Sequence, residues 1–141
     1  MEDEAFYITI VSEDDGDGLI GFKAVASNGH FSGVATWWGY SADLLPLGEQ
    51  LRGFPREFGD NVRLRFAENC VIAFECIDRI GHVNAKADLS LIAAGPRLIE
   101  PPQSVALTFS TEAARIDTFV SQLAVLGRNA AQRASLGANA P

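Results

Sequence analysis

Cysteine, basic charge and long apolar runs are all scarce in this chain of 141 residues, and each scarcity excludes a class of protein. Two cysteines, Cys70 and Cys76, are too few for a metal cage or a disulfide framework. Both fall in one apolar run that reads as a strand, which at about 3.3 Å per residue sets them roughly 20 Å apart. A disulfide needs Cα atoms within about 7 Å, so the two cannot bridge each other. Each reads as a small apolar side chain of a core. Lys and Arg number 11 against 18 Asp and Glu, a net charge of -7. That sign is wrong for embracing phosphate backbones and right for meeting a basic partner. No window approaches the ~20 apolar residues of a membrane span. The start, Met1-Glu2-Asp3-Glu4, is acidic where a secretory signal is basic and then apolar. The expectation is a cytoplasmic protein with no direct nucleic acid contact and no membrane contact.

What is present is an ordinary globular composition, 48% hydrophobic and 21% charged, in a chain of single-domain size. Ala5 to Val11 is β-rich and runs into the acidic turn Ser12-Glu13-Asp14-Asp15-Gly16-Asp17-Gly18. Leu19 to Ala26 and Phe31 to Gly39 form a hairpin around Asn28-Gly29, a pair suited to a type I′ turn because its central residues take positive φ. Val34, Thr36 and Trp38 point to one face of the return strand; Phe31, Gly33, Ala35 and Trp37 point to the other. With Ser41 as N-cap, Leu44, Leu47, Leu51 and Phe54 share one face of a short helix over 42–52, ended by Gly53 and Pro55.

Period two then returns. Val62, Leu64 and Phe66 alternate with Arg63 and Arg65; residues 70–77 are apolar on both faces except Glu75, as in a covered central strand; Val83, Ala85, Ala87, Leu89 and Leu91 alternate with polar residues. A loop marked by Gly95, Pro96, Pro101 and Pro102 leads to a strand with Val105, Leu107 and Phe109 inward. Ser110 or Thr111 caps a second helix with the stripe Ile116, Phe119, Val120, Leu123 and Leu126, closed by Gly127. The order βββαββββα with short connections implies an α+β fold: one twisted, mostly antiparallel sheet of about seven strands carrying two helices. Residues 1–127 form the single domain, and 128–141, with one Leu among Ala, Asn, Gly and Arg, form a disordered tail.

Chemistry is sparse. Glu13, Asp15, Asp17 and Gly18 match the opening of a calcium loop, but the twelfth place holds Ala24 and the flanks are strands, so the segment reads as a solvated hairpin turn and no metal site is expected. His30 and His82 lie far apart with no ligand set around them and read as surface residues. No nucleophile elbow is present, and neither cysteine has a basic neighbour, so no catalytic residue and no cofactor is assigned. Glu75 is either paired, with Arg63, Arg65 or Lys86 on a neighbouring strand, or on an exposed stretch of its face; pairing is the favoured expectation. In Trp37-Trp38-Gly39-Tyr40 only one Trp can enter a given core layer, and the other is covered by a helix or exposed. Coverage is favoured; exposure beside Tyr40 is the composition of an interface hot spot.

Across residues 5–126 the layout resembles the WapI family of bacterial immunity proteins. The resemblance lies in Asp14-Asp15-Gly16-Asp17-Gly18-Leu19 before the second strand, Phe31-Ser32-Gly33 opening the third, the leucines of Ser41 to Leu51, Gly81-His82-Val83 opening the long alternating strand, and Ser104 to Phe109 feeding the last helix. The pattern often has Trp after the acidic turn, where this chain has Gly18-Leu19, and it has no counterpart of the tail after Gly127. The resemblance implies a non-enzymatic protein that binds and neutralises a cognate toxin domain, basic and often a nuclease, and it carries no active site. The residues expected to meet that partner are Glu13, Asp14, Asp15 and Asp17 with Trp37, Trp38 and Tyr40. An uncharacterised protein-interaction domain or a homodimer stays open beside it.

Overall fold

Period-two alternation became strand in every segment that carries it. The computed structural model describes residues 4–12, 16–91 and 103–139. Strands β1 (Glu4–Ser12), β2 (Ile20–Ser27) and β3 (Ser32–Gly39) come first, then a single 3-10 turn at Ser41–Asp43 and helix α1 (Leu44–Leu51). Next come β4 (Asn61–Ala67), β5 (Cys70–Cys76), β6 (His82–Leu91) and β7 (Gln103–Glu112), helix α2 (Ala113–Gly127) and a last strand, β8 (Arg133–Gly137). The fold is α+β, with two helices and antiparallel pairing throughout.

Two expectations about architecture are corrected. Among the described residues the strands number eight and form two four-stranded sheets, ordered β3-β2-β1-β8 and β4-β5-β6-β7, where one sheet of about seven was expected. The expected disordered tail contains β8, which pairs with β1 from Phe6↔Leu136 to Thr9↔Arg133. Ala134 and Leu136 on its inner face are fully buried, and Arg133 reaches Glu4 at 2.7 Å while its guanidinium stacks 3.6 Å from the Tyr7 ring centroid. Two inward apolar residues suffice because β1 supplies a ready ladder, which an isolated five-residue strand lacks.

The core lies between the sheets and under the helices. Phe6, Ile8, Phe22 and Ala24 of the first sheet meet Leu64, Ile72, Phe74 and Val83 of the second, and Ile116, Phe119, Leu123 and Leu126 close it from α2. The α2 stripe is therefore the one that its helical spacing marks. Its start differs: β7 runs on through Ser110 and Thr111, and Glu112 stands at the N-cap. Thr111, fully buried, donates to the Gly137 carbonyl at 2.9 Å and so ties β7 to β8. Asn69, buried in the β4–β5 turn, donates to the carbonyls of Thr36 and Ser90 at 3.0 and 3.1 Å. The Asn69–Thr36 and Thr111–Gly137 bonds thus join elements that share no backbone ladder, and these bonds offset the cost of burying the two side chains.

The β2–β3 turn is wider than a type I′ hairpin. Ser27↔Ser32 is the last pair, only Gly29 has positive φ (87°), and Asn28 Oδ1 accepts from the amides of His30 and Phe31. The Asn28 amide donates to the Phe31 carbonyl at 3.1 Å, and the Asn28 side chain takes the return bond from the Phe31 amide that a two-residue turn would give to the Asn28 carbonyl.

Candidate functional site

The outer face of the first sheet brings together the aromatic residues that alternation sends away from the core. Trp37 points inward, stacked on Phe22 with centroids 5.6 Å apart, and packs against the core. Trp38, its neighbour on the opposite face, is 65% exposed, which corrects the expectation that a helix covers it. Its ring lies across the cross-strand partner Gly21: a Cβ built there would sit 3.5 Å from the far edge of the indole and 2.8 Å from Cβ of Ser12. The 3.5 Å to the indole is ordinary contact, so the close approach that requires glycine there is the one to Ser12 on β1.

Tyr40, 50% exposed, continues the patch. Its ring lies against Gly18, where a Cβ would be 3.2 Å from Cε1, and Gly18 takes φ of 86° that suits glycine alone. Asp17 is exposed beside it and accepts from the Leu19 amide at 2.9 Å. Asp17, Trp38 and Tyr40 therefore gather where β3 ends and the acidic turn runs into β2. Trp37 does not join them. Glu13, Asp14 and Asp15 lie outside the described residues. Val11, 56% exposed at the end of β1, adds apolar surface next to Ser12.

Glu75 is exposed and forms no ion pair among the described residues; it aligns with Asn61 and Asn84, while Arg63 and Lys86 align with Ala73 in the next row. The favoured pairing is thus corrected to its alternative. Cys70 is buried, and desolvation pushes its thiol up to about 12, far from a reactive thiolate. His30 is exposed. His82 is half-buried in a constellation that sequence reading missed: Asp78 Oδ2 lies 2.5 Å from its Nδ1, and Asp78 Oδ1 accepts from the amides of Ile80 and His82 at 3.0 Å each. Desolvation works to raise the Asp78 pKa, but these hydrogen bonds and the His82 charge outweigh it and hold the carboxyl below its usual range. The Asp-x-x-Gly-His spacing was the available signal, since a short polar side chain opening a turn commonly caps it.

A cleft of about 590 Å³ lies where the ends of β6 and β7 meet the first sheet, lined by Tyr7, Lys23, Val25, Val34, Leu89 and Val105. Among the described residues no group of three His, Cys, Asp or Glu side chains is placed to hold a metal ion, and no helix is long and apolar enough to cross a membrane. Compared with known proteins, the chain matches no family model, no curated protein and no solved structure.

Proposed function

We propose that the protein is a non-enzymatic, cytoplasmic binding protein of the immunity type, which docks on a basic, nuclease-like toxin domain through the outer face of the first sheet and blocks it. One observation carries this reading: Trp38 and Tyr40 stand open to solvent beside the acidic turn, the Tyr40 ring close against Gly18. Large rings with little conformational freedom are the usual anchors of an interface, and carboxylates around them choose a cationic partner. The net charge of -7 supports the same sign of partner. The resemblance to the WapI family supplies the kind of partner.

The test is binding to the toxin domain encoded beside this protein, followed by biolayer interferometry. Trp38→Ala is expected to weaken the complex about 30-fold, the size of a 2 kcal/mol hot spot, with an unchanged melting temperature because the ring is outside the core. Absence of binding at micromolar concentration overturns the reading. A second reading, a self-associating or general protein-interaction domain, is favoured by Phe58, Ile77 and Ile80, exposed at 59%, 41% and 81% on the adjoining loops before β4 and after β5. A concentration-dependent dimer in sedimentation, indifferent to salt, supports that second reading and counts against the first.

A further inference from the structure

The edges of the two sheets are closed in unequal ways. At β3 the Thr36 carbonyl accepts from Asn69. At β7 the carbonyls of Thr108 and Ser110 accept from the Asn28 side chain and the Asn139 amide. At β8 the Ser135 amide donates to Gln122 Oε1 at 2.7 Å. These side chains and chain ends occupy backbone groups that would otherwise attract another strand. Among the described residues, no side chain or chain end hydrogen-bonds the outer edge of β4; helix α1 packs against this strand but leaves Asn61, Arg63 and Arg65 exposed.

Which groups it leaves open follows from the ladder. The Cys76 amide donates to the Asp60 carbonyl at 2.8 Å. Hydrogen-bonded pairs recur every second residue in an antiparallel ladder, so Val62 and Leu64 turn their backbone groups to Phe74 and Ile72. Those of Asn61, Arg63 and Arg65 point away from the sheet, and all three residues are exposed. The side chains add a sign. Arg63 and Arg65 face Ala73 and Val71 across the ladder, neither of which can pair a guanidinium. Arg63 forms no ion pair among the described residues, and Arg65 has only an exposed bridge to Glu68 at 3.6 Å.

We propose that the β4 edge takes up an extended acidic segment of a partner protein as an added strand, its carboxylates at alternate positions beside Arg63 and Arg65. Backbone pairing supplies the contact and the two arginines choose the sequence. A second copy of this chain is the poorer occupant, because antiparallel pairing centred on Leu64 sets Arg63 of each copy opposite Arg65 of the other. The overall charge of -7 opposes an acidic partner at long range, but at about 0.15 M salt that repulsion is screened beyond ~8 Å while the strand-to-strand contact is not. This surface is separate from the one around Trp38, and its test does not depend on a toxin.

The probe is a capped nine-residue peptide alternating glutamate and threonine, with the same peptide carrying lysine for glutamate as its control, titrated to millimolar concentration into the full chain labelled for amide NMR. The expected result is a shift and slowed hydrogen exchange at Asn61, Arg63 and Arg65 with the glutamate peptide alone. The double variant R63E/R65E, both changes being on exposed side chains, is expected to lose about tenfold in affinity for it and to accept the lysine peptide instead. Equal response to both peptides, shifts confined to other strands, no response, or protection of these amides by self-association each overturns the proposal.

Discussion

At Gly33 a single hydrogen decides whether the two sheets can meet. A Cβ there would sit 2.1 Å from Cγ1 of Val105, well inside contact distance, because β3 crosses β7 at that point. Valine is stiff about χ1 and cannot swing aside cheaply. Gly33→Ala is therefore expected to destabilise the protein by about 1–3 kcal/mol as overpacking does, measured by urea denaturation. Adding Val105→Ala should return part of that loss, and simple additivity of the two changes would contradict the contact. Asp78 holds a charge that the fold stabilises through His82 and two backbone amides. Its folded pKa is held below the unfolded value, so it contributes stability above the carboxyl's ordinary range and loses it as pH falls through the folded pKa. Asp78→Asn is expected to lower the melting temperature at neutral and alkaline pH and to converge with the parent protein at acid pH, as read from melting temperatures across pH. An equal displacement at every pH would assign the residue a packing role only. The Gly33 contact was not legible in the sequence, where Phe31-Ser32-Gly33 shows only an alternating strand; the distance belongs to residues 72 positions apart.

Among the elements, β8 shows how little pattern a strand needs when its partner is already in place. Arg133-Ala134-Ser135-Leu136-Gly137 carries two apolar positions, too few to be told from a polar tail by periodicity. Its ladder partner β1 lies at the other end of the chain, so no local signal announces the pairing. Leu136 is fully buried beneath it. Leu136→Ala is expected to cost about 2–5 kcal/mol, the range for emptying a core leucine site, where a disordered tail would show no change on thermal unfolding. The longer elements were legible because each carries its own period: β6 alternates over ten residues, and α2 sets Ile116, Phe119, Val120, Leu123 and Leu126 on one face. Their boundaries moved by a residue or two, most at α2, where the Ser110-Thr111 pair that looks like a cap is spent on the end of β7.

For the molecule as a whole, charge and shape act at different ranges. A net charge of -7 works at a distance, so association with a basic toxin domain is expected to slow about tenfold between 10 and 150 mM salt, as the screening length falls from ~30 to ~8 Å. Stopped-flow measurement should place that change in the association rate and leave dissociation nearly constant; a salt-independent rate removes charge steering from the proposed function. Of the candidate site, the sequence shows that Trp37 and Trp38 must face opposite ways and that Asp17 lies in a solvated turn. It does not show which ring is left bare. Alternation and helical spacing are properties of neighbours along the chain, and they determined the α+β class and the inward faces, while composition alone set the sign of the charge. The division into two sheets, the recruitment of β8 and the meeting of Asp17 with Trp38 and Tyr40 rest on contacts between distant segments. Those contacts depend on how layers of side chains fit one another, and only the tertiary structure decides that fit.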